Sequence, residues 1–280
     1  MVNKVKNSIS TEPGYRTSTL SMDAEYAWET LEAELDAWSN AGRVARFWWR
    51  DDDAVSAGPR LDTLIDISSN SGLLLAVVPA RLDSTLATAL ADAPHVYVAQ
   101  HGYAHVNHAP RGLGLGAWEL GLHRGLETVM SELNIGRAIL HDQFQSRYLQ
   151  VLVPPWNRIA PELIKPIAAD GFYGVSAFGP RENCNQEPGM TVVNTHCDPI
   201  RWKSGAQFRG TGKAISQLCE HLEARRIGSV DADEPTGFLT HHIELDAAGW
   251  HFSEKLANMI HQHRAAQWCS PKQLFVTPHG

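Results

Sequence analysis

Short apolar runs alternate with helical segments along most of the chain, and this rhythm constrains the fold more than any other feature. The runs at 44–49, 73–78, 95–99, 149–153 and 172–176 read as buried strands, with further candidates at 191–194 and 238–240. Helix signals fill the gaps. Ser21 caps a segment whose apolar face carries Tyr26, Leu31, Leu35 and Trp38 and which stops at Gly42; Pro59 opens a second that Gly72 closes. Others lie at 84–91, 161–170, 212–225 and 253–263, and a long amphipathic one at 118–133 repeats Trp118, Leu122, Leu126, Val129 and Leu133 at three- and four-residue spacing. Strands joined through helices run parallel, and this many units predict an α/β fold with a single closed or nearly closed (β/α) barrel. Residues 1–20 read as a polar, flexible N-terminal arm and 21–280 as one barrel domain, with no linker dividing it.

Composition narrows the function classes. With 43 % hydrophobic and 20 % charged residues in 280, the chain can bury a sizeable core. A formal charge of -7 gives no basic footprint for nucleic acid or anionic membrane, so the expected partner is a small molecule or an oligosaccharide. The first twenty residues hold no apolar signal region and no stretch approaches the ~20 apolar residues of a membrane span, which predicts a cytoplasmic protein. Cys184, Cys197, Cys219 and Cys269 form no CxxC pair and read as free thiols. The sequence carries no signal for oligomeric state.

The residues that suggest chemistry follow the predicted strands. Asp51-Asp52-Asp53 follows the first, His101 and His105 the third, Pro154-Pro155-Trp156-Asn157-Arg158 the fourth, and His241-His242 the last. In a parallel barrel the carboxyl ends of all strands share one face, so groups far apart in sequence can converge there. Singly each motif is weak. Adjacent aspartates often make a solvated turn, a four-residue histidine spacing suits two metal ligands or a surface pair, and Pro-Pro-Trp can be backbone punctuation.

As an ordered set over residues 44–243, Asp52-Asp53, His101-Gly-Tyr-Ala-His105, Pro154-Pro155-Trp156, Asp198-Pro-Ile-Arg-Trp202 and Leu239-Thr240-His241 resemble the polysaccharide deacetylases of carbohydrate esterase family four, the chitooligosaccharide deacetylase-like group. The resemblance implies a distorted seven- or eight-stranded barrel and a metal-dependent hydrolase that removes an N-acyl group, usually acetyl, from an amino sugar or related small amide. It implies Asp53, His101 and His105 as ligands of one divalent ion, zinc first, with cobalt, nickel or iron accepted by the same donors. One carboxylate and two imidazoles leave positions open for water and substrate, as a catalytic site requires. Asp52 becomes the general base, His241 the general acid and the Trp156 N–H an oxyanion donor. Pro155, Trp202 and Leu239 become the substrate wall.

The match has departures. A third aspartate leaves two registers, Asp51-Asp52 or Asp52-Asp53, and Ala54 in the place of a usual glycine favours the second. Val153 replaces the basic residue before Pro-Pro, so Arg50 or Arg158 is expected to orient the base. His242 replaces the acidic residue after the late histidine, and Asp198 becomes a candidate partner for His241. Of Trp48 and Trp49, which alternate on a strand, at least one belongs to the core; Asn107 and His108 read as supporting or surface groups. Two other readings compete: a degenerate barrel that binds glycan without turnover, and a thiol hydrolase using Cys197 beside His196, whose adjacent side chains would point to opposite faces.

Overall fold

The computed structural model describes residues 14–182 and 187–276, which leaves Cys184 outside the described residues. The strands are β1 (Ala45–Ala54), β2 (Leu73–Val77), β3 (Val96–His101), β4 (Tyr148–Val153), β5 (Gly174–Val175), β6 (Thr191–Val192), the antiparallel pair β7 (Ile200–Arg201) and β8 (Gln207–Phe208), β9 (Thr236–Thr240) and β10 (Ala266–Trp268). The helices are α1 (Gly14–Asn40), α2 (Pro59–Ile67), α3 (Thr85–Ala89), α4 (Leu126–Phe144), α5 (Ile164–Ala169), α6 (Thr211–Ile227), α7 (Ala247–Gln262) and α8 (Pro271–Leu274).

Seven strands run parallel in the order β9-β1-β2-β3-β4-β5-β6, curling into a distorted barrel. The ends meet through one parallel bridge, Cys197 to Phe238. Gly237 makes that approach possible, because a Cβ there would stand 2.5 Å from Asn194 O and 2.6 Å from the Thr195 Cα. The remaining strand, β10, pairs with the first residues of β1 and β2 with the last, Phe47 opposite Trp268 and Arg50 opposite Leu74.

Alternation along β1 decides what faces where. Phe47 and Trp49 pack outward under the helices, whereas Trp48 joins Leu74, Ala76, Ala99 and Val151 inside the barrel. Both tryptophans are therefore core, each with its indole N–H satisfied, Trp48 by Asn194 O and Trp49 by Thr240 Oγ1.

Three helix expectations change. The first helix begins at Gly14, and its buried face is Ala27, Trp28, Leu31, Leu35 and Trp38; Tyr26 is 71 % exposed, since five residues before Leu31 is about 140° around a helix. The long helix begins at Leu126, not Trp118, because Gly125, at φ 82, stands outside helical geometry at its start. The helix expected at 253–263 begins at Ala247, where the Asp246 side chain accepts from Gly249 N at 2.8 Å. Among the described residues no helix is long and apolar enough to cross a membrane.

Candidate active site

The aspartate run belongs to the strand and does not follow it: β1 continues through Asp51–Asp53 to Ala54. Strict alternation would send Asp51 and Asp53 to one face and Asp52 to the other. A register shift between Asp51 and Ala54 and a left-handed backbone at Asp53 (φ 70) break the alternation, so Asp52 and Asp53 both face the cavity at the carboxyl end of the barrel. Asp51 turns away and is saturated. Its oxygens accept from Thr240 Oγ1 at 2.6 Å and His242 N at 2.9 Å, and lie 2.6 Å from His242 Nδ1.

Asp53 Oδ1 lies 3.2 Å from Nε2 of both His101 and His105. The His101 Nδ1–H donates to Val153 O at 3.0 Å, so the Nε2 lone pair of the neutral ring points at the group. Atoms bound tetrahedrally at about 2.0–2.1 Å sit about 3.3 Å apart, so this donor set fits a divalent cation. Burial opposes the Asp53 charge, but the His101 hydrogen bond and the fields of His101, His241 and His105 outweigh it and hold the carboxyl well below the usual range. Burial also disfavours a charged His101, yet Asp52 and Asp53 push its pKa up; at His105 burial and the neighbouring His101 push it down.

The loop from His101 to His105 is held by a residue that the motifs did not reveal. Glu119 accepts from Tyr103 N at 3.2 Å and Ala104 N at 2.7 Å, and Gly102 leaves room for it, because a Cβ there would strike Glu119 and Pro155.

Asp52 is gripped by Arg50, two residues earlier on the same inward face of β1. Nε and Nη2 reach the two carboxylate oxygens at 2.9 and 3.0 Å. The rest of the guanidinium bonds Ser176 Oγ at 2.7 Å and Asn157 Oδ1 at 2.6 Å. Arg50 therefore holds the Asp52 carboxylate from β1 itself. Arg158 does not: it donates to Ala117 O at 3.3 Å and lies over the Trp118 ring.

In the turn after β4, Trp156 (φ 55) and Asn157 (φ 56) are left-handed, as is His105 (φ 55). Together with Asp53, four of the six positive-φ non-glycine residues among those described line this one cavity, which concentrates backbone strain where chemistry would need it. The Trp156 ring lies 4.4 Å from the His105 ring, centroid to centroid. Asn157 N and Arg158 N close onto Pro154 O and Pro155 O, and neither proline has an N–H, so the Trp156 N–H is the remaining donor of the turn.

The cavity, about 450 Å³, also takes His241, Asp198 and Trp202. His241 meets Trp202 edge-on at 4.7 Å. Asp198 is not its partner: its oxygens accept from Trp202 Nε1 and Ile200 N, each at 2.8 Å, and His241 Nδ1 is buried without a protein partner. Pro155 and Leu239 are buried and do not line the cavity; Phe178, Asn157, Arg209 and Gln217 do, and sequence reasoning gave them no role. His108 and Asn107 stay outside it, Asn107 bracing the following loop through Ala109 N and Trp118 N. Cys197 is fully buried and its Sγ–H donates to Ala214 O, while burial pushes the thiol pKa up; the neighbouring His196 is engaged elsewhere, so no thiol nucleophile is assembled.

His196, His221 and Glu234 form a second cluster of similar composition, entirely buried. It is poorly made for a metal. Glu234 already accepts from Asn194 N at 3.0 Å and Arg181 N at 2.8 Å. Gly237 N donates to His196 Nδ1 at 2.9 Å, which puts the proton of the neutral ring on Nε2. The two rings stack at 3.3 Å and 12°, so their in-plane lone pairs run side by side and cannot converge.

No family model and no curated protein matches the chain; the likeness is to solved structures. The Bc1960 peptidoglycan N-acetylglucosamine deacetylase matches with a TM-score of 0.50 at 11 % identity over 86 % of this chain and 96 % of its own. Peptidoglycan deacetylase PdaC from Bacillus subtilis gives 0.50 at 16 % over 82 % and 90 %. A BA3943 mutant, a family 4 carbohydrate esterase pseudoenzyme with restored enzymatic activity, gives 0.52 at 14 % over 84 % and 68 %. The fold is that of the carbohydrate esterase family 4 deacetylases. Within that deacetylase fold, the Asp53, His101 and His105 group occupies the carboxyl end of the barrel, where the active sites of parallel barrels lie.

Proposed function

We propose that the protein is a metal-dependent hydrolase that removes an N-acyl group, acetyl first, from an amino sugar or related small amide. The observation that carries this reading is the placement of an Arg50-held Asp52 in one cavity with the Asp53, His101 and His105 donor set. Asp53, His101 and His105 would hold a divalent ion, zinc, cobalt, nickel or iron, which would polarise the acyl carbonyl and acidify a water. Asp52 takes the proton from the attacking water, its carboxylate fixed by the two bonds from Arg50. The Trp156 N–H donates to the oxygen that gains charge, and its left-handed backbone aims it without reorganisation. His241 delivers a proton to the departing amine. Trp202 supplies a flat apolar face for a sugar ring, as its 46 % exposure allows.

A fold that also hosts a pseudoenzyme does not by itself imply turnover, so the competing reading is a barrel that binds glycan only. The retained base and ligands favour the enzyme. Metal analysis of the purified protein with a screen for acetate release from N-acetylated sugars tests this. One ion per chain and release that stops on chelation support it; glycan binding without release by the metal-loaded protein overturns it.

A further inference from the structure

Three buried polar atoms on the cavity's lining have no partner within the protein: Arg209 Nε, Gln217 Oε1 and His241 Nδ1. An unpaired buried polar group is costly, so three residues of one lining that carry such atoms mark a place that a polar ligand completes. His241 belongs to the chemistry above. Arg209, directly after β8, and Gln217, on α6, do not, and they line the same cavity as Phe178 and Trp202.

Charge distinguishes Arg209. Arg50, Arg124, Arg181 and Arg226 each hold a carboxylate. Arg209 forms no ion pair among the described residues, and its side chain donates to Ile200 O at 2.9 Å. The carboxylates of the cavity are otherwise engaged: Asp52 by Arg50, Asp53 by the two histidines, and Asp198 by Ile200 N and Trp202 Nε1. A guanidinium is a rigid fork matched to carboxylate and phosphate, and a half-buried one without a counter-charge attracts an anion.

Resting on the proposed amide hydrolysis, we infer that the substrate carries an anionic substituent, a carboxylate or a phosphate, beside its N-acyl group, and that Arg209 with Gln217 binds it. A cavity of about 450 Å³ holds one sugar ring with such a substituent. Arg209 then acts on specificity and leaves the hydrolytic step to Asp52, His241 and the Asp53, His101 and His105 group.

The test is kcat/KM of the metal-loaded full chain on three substrates that share a ring: N-acetylglucosamine, N-acetylmuramic acid, which adds a carboxylate, and N-acetylglucosamine 1-phosphate. At least one acid is preferred over the neutral sugar by on the order of thirtyfold, mainly through KM, as one charge-assisted contact allows. Arg209→Met erases the preference and Arg209→Lys keeps part of it; which acid is preferred separates carboxylate from phosphate. Preference for the neutral sugar over both acids, or equal losses on all three in Arg209→Met, overturns the inference. Should no acyl group be released from any of them, the proposed hydrolysis falls and calorimetry decides this inference alone. Titration with muramic acid and glucosamine 1-phosphate gives binding that Arg209→Met weakens by a similar factor, and binding that is absent or indifferent to the variant overturns it.

Discussion

The molecule contains two groups of two histidines and a carboxylate, and they have almost nothing else in common. In Asp53, His101 and His105 the carboxylate oxygen faces two ring nitrogens, the backbone is left-handed at two of the three residues, and the group opens on a cavity. In His196, His221 and Glu234 the carboxylate is spent on two backbone N–H groups, one ring accepts from a third, and nothing is exposed. Residue type therefore does not make a metal site. Tautomer, lone-pair direction and access do, and the second group closes the barrel seam near Gly237 and Asn194 instead.

Removing a ring from each group breaks or sharpens that contrast most strongly. His101→Ala and His105→Ala lower metal affinity by more than the about 10–100-fold that a supporting residue costs, while the fold survives. His221→Gln keeps its metal and loses thermal stability, because Thr236 Oγ1, 3.0 Å from Nδ1, loses one of its two partners and is left with Arg225 Nη1. Metal content by elemental analysis beside a melting curve reads both; metal loss in His221→Gln would erase the distinction.

Next in size is the effect on turnover. Asp52→Asn keeps the metal and lowers kcat by about 10²–10⁴, the contribution of a positioned general base. Asp51→Asn keeps both metal and most turnover but loses about 1–3 kcal/mol of stability, the cost of a damaged buried hydrogen-bond set. Metal loss in Asp52→Asn with retention in Asp53→Asn would move the functional pair to Asp51-Asp52. His241→Gln hurts amides more than activated esters, whose leaving groups need no proton, and equal losses on both would give His241 a binding role.

The smallest effects are in pH. Burial holds the His196 and His221 pKa values below the ordinary 6.5 in the folded protein. Both bind protons more readily when unfolded, so stability is full above 6.5 and falls as pH drops below it, by up to about 1.4 kcal/mol per pH unit for each ring. His242 has the opposite sign. Burial lowers its pKa, but the Asp51 charge and hydrogen bond raise it further, so its contribution is present below 6.5 and fades as pH rises through the folded value. Denaturant midpoints between pH 5 and 8 check both; His221→Gln flattens the acid side and Asp51→Asn the alkaline side.

Much of this was legible in the sequence for a physical reason: apolar runs ended where polar residues began, and parallel strands gather such ends on one face. The register of the aspartates was not legible, because the bulge that swings Asp53 beside Asp52 depends on pairing with β2 and not on local residue type. Arg50 offered a usable signal, a charged residue two positions before Asp52 in a buried strand, which alternation places on the same face. The assignment of Asp198 to His241 failed because Trp202, four residues on, reaches that carboxylate first. Strand β10, Arg209 and Gln217 were invisible, since three-residue pairings and cavity walls arise from long-range packing alone.

The central claim is that only the cavity-facing group supports catalysis through a bound ion. Acetate release from an N-acetylated amino sugar, measured after chelation and then against added zinc or cobalt, tests it directly in the wild type, His101→Ala and His221→Gln. The account predicts recovery at one equivalent per chain in the wild type and in His221→Gln, and none in His101→Ala. Release that ignores chelation, or recovery abolished in folded His221→Gln and retained in His101→Ala, would contradict it.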